Sequence, residues 1–369
     1  MTIISLRNNL KEALAVAERA LGENAHLPVL KSFLLRAEKN NVSVSSTNLE
    51  IGIVTKFSAK IITEGSFVVP ANIFSSLVAN VPGERLDIKK TDTSSLEIKS
   101  DNYEAIVPLS AADDFPIIPE VENKKQYIEI NAQIFIDALN QVIGSVQFSE
   151  IRPEISGVLF DFTLDQITLV GTDSFRLAEK KIPGSLFKNT YQEGFTCIIP
   201  LRTAEVCTKI FKKDEQLKLY LDKNQIGIQS EHTELVSRLI EGNFPDYKTI
   251  IPNGYETEIE MNRSDLVNAL KFTGAAMQTT NEIKIRVKED KKTFDIYSSE
   301  RSISKLKTSL PAKIKGKECE VVFNWRYIFD GLKTIPDDSI RFVLHGNTRP
   351  ALITSKDPTY LYVLMPIKQ

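Results

Sequence analysis

Apolar residues fall at helical spacing in three stretches of the chain: Leu10, Leu14, Ala17 and Leu21; Phe135, Leu139 and Val142; and Leu266, Leu270, Thr273 and Met277. A stripe of this kind predicts a helix with one buried face. Each stretch centres on an Ala-Leu pair, Ala13-Leu14, Ala138-Leu139 or Ala269-Leu270. Asn262, three residues before Asp265, predicts an N-cap for the third. A second pattern lies between these helices. Apolar strands at Phe67–Pro70, Cys197–Pro200 and Val321–Asn324 each run into a segment with helical spacing: Ile73, Phe74 and Leu77; Cys207, Ile210 and Phe211; Ile328, Phe329 and Leu332. Alternating runs follow, Leu86-Asp87-Ile88-Lys89, Leu217-Lys218-Leu219-Tyr220 and Ile340-Arg341-Phe342-Val343. Their period of two predicts strands with one buried face.

Both patterns recur roughly every 125–130 residues, so the chain reads as three copies of one unit. Each copy is helix, strands, helix, strands, an α+β domain with two helices packed on antiparallel sheet. The first two copies close alike, on Phe115-Pro116 and Phe244-Pro245. Polar, turn-rich segments near Glu120–Lys125 and Asn253–Glu258 place the domains at residues 1–122, 123–254 and 255–369. At 369 residues, two to three domains of roughly 100–200 residues are expected.

Composition narrows the function. With 42% hydrophobic and 25% charged residues the chain is an ordinary globular protein, and a net charge of −2 excludes a uniformly basic nucleic-acid binder while leaving room for a local basic face. The three cysteines, Cys197, Cys207 and Cys319, have no metal or CxxC spacing and read as reduced buried thiols. No apolar run approaches the roughly 20 residues of a membrane span, and the start reads as no signal peptide, so a cytoplasmic protein is expected.

No phosphate loop, GxGxxG, GxSxG or HExxH is present, and His26, His232 and His345 stand apart from one another. The acidic pairs Asp113-Asp114 and Asp337-Asp338 adjoin prolines and read as solvated turns. No catalytic residue, metal site or cofactor is expected.

Four segments carry a resemblance. Gly157-Val158-Leu159-Phe160 with Gly171-Thr172-Asp173-Ser174-Phe175-Arg176-Leu177-Ala178, the run Arg238–Tyr247, the terminus Tyr362–Ile367 and the Leu27–Leu30 region together resemble the bacterial DNA sliding clamps, the β subunits of the replicative polymerase. The resemblance covers the whole chain in order and spacing. It implies a non-catalytic homodimer joined head to tail into a ring around double-stranded DNA, with helices lining the channel and sheet outside. Such a ring holds the polymerase on DNA by topology. It also implies partners, namely the polymerase subunit, a clamp loader and repair proteins, that dock short linear motifs with Gln and Leu/Phe anchors.

The positions matching the family's pocket are Ile155, Thr172, Ser174, Phe175, Arg176, Leu177, Pro245, Ile250, Val363, Leu364, Met365 and Pro366. Leu177, Pro245, Val363 and Met365 would desolvate an anchor, and Thr172 and Arg176 would offer hydrogen bonds. Phe175 stands where His or Tyr is common, and Thr249 where a basic residue is common. Channel candidates are Lys11, Arg19, Arg202, Lys209, Arg263, Lys271, Arg326 and Lys333, interleaved with acidic residues on the same helices. The family's loop arginine has no counterpart in Gly22–His26. Tyr103, Ile106, Ala276 and Met277 are the dimer-contact candidates. Two other readings remain open from the residues alone: a three-domain peptide-binding scaffold that never meets DNA, and an enzyme working between domains.

Overall fold

A computed structural model describes residues 1–23, 27–91, 94–110, 114–275, 280–288, 293–298 and 306–368. Among the described residues six α-helices form where the apolar stripes and the post-strand segments predict them: α1 Arg7–Ala17, α2 Ala71–Asn80, α3 Ala132–Ile143, α4 Leu201–Ile210, α5 Arg263–Ala275 and α6 Trp325–Thr334. The Asn262 cap forms, its Oδ1 accepting from the Ser264 and Asp265 amides at 2.8 and 3.2 Å. Among the described residues no helix is long and apolar enough to cross a membrane.

The first compact unit comprises Met1–Gln133, Phe187–Gln192 and Val206–Leu239. It holds a five-stranded sheet ending on Tyr103–Pro108 and a nine-stranded sheet in which Ile51–Phe57 pairs with Thr233–Arg238. Its core gathers Leu10, Leu14 and Ala17 of α1 and Phe74 and Val78 of α2 with Phe33, Phe67 and Ile88. The stretch after Phe115 lies against the nine-stranded sheet with Ile118 and Val121 filling slots over glycine. A Cβ on Gly52 would stand 2.5 Å from Ile118, and one on Gly227 2.4 Å from Val121.

The second unit comprises Ile134–Leu186, Glu193–Glu205 and Ile240–Gln369. Its nine-stranded sheet includes Gly157–Thr163, Gln166–Thr172 and Arg176–Pro183, the last paired with Tyr360–Leu364. A four-stranded sheet ends on Lys307–Pro311. Among the described residues the strand pairs are antiparallel, for example Leu177 opposite Val363. Compactness follows the shared sheets: strands of the middle repeat complete the sheets of its neighbours, so the contacts divide the chain in two.

The first residue of α1 and that of α5 do the same work. The Arg7 guanidinium donates to the Val81 carbonyl beyond α2 at 2.7 Å, and that of Arg263 to the Leu332 and Asp337 carbonyls at 3.3 and 3.0 Å. Each arginine satisfies carbonyls at the end of the unit's other helix.

The Asp295 side chain is fully buried. The Asp295 carboxylate accepts from Ser309 at 2.6 Å and Tyr297 at 3.1 Å and faces Lys288 and Lys307 at 3.2 Å each. Burial pushes its pKa up, but these donors overcompensate and hold it at about 2, below the ordinary 3.8. The folded pKa is depressed, so the stabilisation is complete above about pH 4 and is lost as pH falls towards 2. Asp295→Asn should lower stability by about 2 kcal/mol at pH 7 and by much less at pH 2.5, read by urea unfolding at each pH. An equal loss at both would show that the charge contributes nothing.

Candidate functional site

The Thr172–Arg176 segment joins two strands through a fixed turn. The Thr172 hydroxyl donates to the Arg176 carbonyl at 2.7 Å and accepts from the Ser174 amide at 3.2 Å. Asp173 Oδ1 accepts from the Phe175 and Arg176 amides, both at 2.9 Å. Ser174 takes φ +76°, a left-handed conformation costly for a residue with a Cβ, so the turn is held by these bonds. The Met365 amide donates to the Phe175 carbonyl at 2.8 Å, tying the C-terminal segment to the turn.

Thr47–Ile51 in the first unit repeats this turn bond for bond. Thr47 donates to the Ile51 carbonyl at 2.9 Å and accepts from the Leu49 amide at 3.0 Å, while Asn48 accepts from the Glu50 and Ile51 amides at 3.0 and 2.7 Å. Leu49 also has φ +76°, and the Arg238 amide donates to the Glu50 carbonyl at 2.9 Å. The backbone is the same and the rim differs. Glu50 and Arg238 stand where the second unit has Phe175, 59% exposed, and Met365, half-buried. At those two positions only the second copy has apolar side chains; the apolar side chain of the first turn is Leu49, 45% exposed.

Leu177 and Val363 pack with Leu159, Val170 and Tyr247 into one cluster, against which Phe244, Ile251, Leu352 and Leu361 also rest. Pro245 is half-buried beside it in sequence, and Ile250 is 41% exposed. The Tyr247 hydroxyl donates to Glu179 at 2.7 Å, and burial together with that carboxylate raises its pKa. Thr172, Leu177 and Val363 are buried, and Ser174 is exposed. Ile155 is buried in the one-turn helix Pro153–Ile155. By strand alternation Leu364 lies on the sheet face opposite Leu177 and Val363, with Tyr362, so it belongs to the core beneath α6. Pro366 is half-buried.

Arg176 differs from the sequence expectation. Its Nε binds Asp173 at 2.9 Å, its Nη1 binds Asp330 at 2.7 Å, and its guanidinium lies 4.4 Å from the centre of the Tyr327 ring. Burial would lower its pKa, but Tyr362, Asp330 and Asp173 outweigh that and raise it. Thr172 likewise spends its hydroxyl within the turn. Both residues build the wall, leaving fewer donors for a ligand than the sequence reading assumed. Tyr327, whose ring lies 6.5 Å from Phe175 at 26°, and Arg152, which donates to Ser174 at 3.0 Å, adjoin the turn and are not among the sequence candidates. Tyr327 and Asp330 share one helix face at i, i+3, a spacing that by itself marks no site.

The basic candidates scatter over the helices. Lys11, Arg19 and Lys209 are exposed in the first unit; in the second, Arg202, Lys271, Arg326 and Lys333 are exposed. Lys271 and Lys333 converge on the Phe329 ring, at 5.8 and 4.1 Å. Arg263 is half-buried and turned onto the carbonyls beyond α6, so its charge is spent on structure. Tyr103 and Ile106 are 56% and 71% exposed on the free edge of the five-stranded sheet. Ala276 and Met277 lie outside the described residues. Among the described residues no group of three or more His, Cys, Asp or Glu side chains could hold a metal.

These repeats have known counterparts. Models of the DNA polymerase III beta subunit match in order: the N-terminal domain at residues 1–119, the central domain at 129–246 and the C-terminal domain at 248–368. The beta sliding clamp of Synechococcus elongatus is 26% identical over 378 residues, covering 100% of this chain and 99% of that protein, and that of Bacillus subtilis is 25% identical over 375 residues, covering 98% of each. The crystal structure of the Bacillus subtilis DNA polymerase sliding clamp superposes with a TM-score of 0.93 at 25% identity, over 100% of this chain and 99% of that one. The Thermotoga maritima beta subunit shares the fold, with a TM-score of 0.91 at 23% identity, over 100% and 99%. The architecture is the three-domain DNA clamp fold. The chain belongs to the DNA polymerase III beta subunit family, the beta sliding clamps. Its role in DNA replication is that of a non-catalytic processivity subunit.

Proposed function

We propose that two copies close head to tail into a ring that encircles duplex DNA without reading its sequence, and that the ring recruits partners through the groove beside Phe175. The observation that carries this is the ordered match of all three clamp domain models along the chain. The three domains span residues 1–122, 123–254 and 255–369, and the protein acts in the cytoplasm. The exposed Lys and Arg side chains of the helices supply phosphate attraction, which is independent of sequence. Arg263 contributes least to it.

The groove takes short linear motifs of the polymerase subunit, the clamp loader and repair proteins. Support comes from the contrast between the two turns: Phe175 and Met365 offer apolar surface at one, and Glu50 and Arg238 offer charge at the other. The ring closes between the Tyr103–Pro108 edge of one copy and the third domain of the other, where Lys307–Pro311 is a free edge. Free, alternately exposed strand edges are suited to pairing with another chain.

Mass in solution tests the assembly. Sedimentation at micromolar concentration is expected to give twice the 41.5 kDa of one chain. A single-chain mass throughout would favour the monomeric scaffold.

A further inference from the structure

The Arg176 guanidinium makes bonds that have no counterpart in the twin turn. The first unit builds the same turn with Asn48 and Ile51 in place of Asp173 and Arg176, so no ion pair spans it. The Asp173–Arg176 ion pair is therefore not needed to fold the turn. Burying a guanidinium is costly unless it is paired, and here the pairing reaches outside the turn to α6, 154 residues away in sequence. Nor does α6 need that contact to dock. Tyr362 donates to the Tyr327 carbonyl at 2.8 Å, and Gly331 lets its ring approach so closely that a Cβ there would stand 2.5 Å from it.

The Asp330–Arg176 contact is thus surplus to both elements that it joins, and it lies where the exposed Phe175 ring meets Tyr327. We propose that Asp330 is a positioning residue of the partner groove: it holds the Arg176 guanidinium on Tyr327 and thereby fixes the Phe175–Tyr327 rim in the geometry that a peptide anchor meets. A rim fixed beforehand spares the ligand the entropic cost of ordering it. This inference rests on the groove reading above.

The test is fluorescence anisotropy with the full-length protein and a fluorescein-labelled peptide carrying a Gln and a Leu-Phe pair. Asp330→Asn, which keeps the size and removes the charge, should weaken binding by about tenfold. Asp330→Glu should restore most of it, and thermal melting of both variants should stay close to that of the parent. In an Arg176→Ala background Asp330→Asn should have no further effect, because the two side chains act as one unit. Binding by Asp330→Asn within twofold of the parent, or effects of the two substitutions that multiply, would overturn the proposal while leaving the groove in place. No binding by the parent itself would remove the groove reading, and this proposal with it.

Discussion

Replacing Ile106 by Asp is expected to turn the dimer into monomers and to abolish retention on circular DNA, with each chain still folded. Ile106 is 71% exposed on an edge strand that pairs on one side only, so an Asp there meets water in the isolated chain and costs little. In a closed ring the same carboxylate would be desolvated against another chain without a partner, at a cost of several kcal/mol per interface. A head-to-tail dimer has two such interfaces, and losing either opens the ring. Sedimentation should show single-chain mass at micromolar concentration, with an unchanged circular dichroism spectrum. An intact dimer would mean that the Tyr103–Pro108 edge is not the contact.

Met365→Asp should remove partner binding while the ring persists. Val363 and Leu364 lie in the paired strand, and the backbone bond from residue 365 to the Phe175 carbonyl survives the substitution. What changes is the rim: a half-buried thioether becomes a charge that an apolar anchor must desolvate. Losses at the centre of a binding site reach about 2–4 kcal/mol, so affinity for the labelled peptide should fall by thirtyfold or more, on the order of the hot-spot range. The twin turn supplies the control. Arg238→Ala, at the corresponding place in the first unit, should leave peptide affinity unchanged. If Arg238→Ala weakened binding as much as Met365→Asp, the peptide would be using both turns.

Much of this architecture is written locally. The Ala-Leu stripes give α1, α3 and α5, Asn262 caps α5, and the alternating runs at Leu86, Leu217 and Ile340 become strands, because each signal acts within a few residues. The strand partners were not legible: pairing of Ile51–Phe57 with Thr233–Arg238 depends on chain far away in sequence. The candidate site divides in the same way. The apolar members Leu177 and Val363 pack together, and alternation along the Tyr360–Leu364 strand turns Leu364 away from them. The polar members were harder to judge. A sequence shows that Arg176 has donors, but not that Asp173, Asp330 and Tyr327 already occupy it. Arg263 gives the same lesson, since a basic residue at a helix start looks like a DNA contact until the carbonyls of Leu332 and Asp337 claim it. The equivalence of Thr47–Ile51 and Thr172–Arg176 is hidden because only the threonine is common to both, while the bonds are made by side chains of matching shape, Asn48 and Asp173.

Encirclement is tested most directly by retention of the protein on a nicked circular plasmid, placed there by a clamp loader, before and after a single cut linearises the DNA. A closed ring should stay on the circle in salt high enough to screen phosphate contacts, and should run off the ends once the circle is cut. Equal retention on the circular and linear forms would contradict encirclement and leave a protein that binds DNA, if at all, from one side.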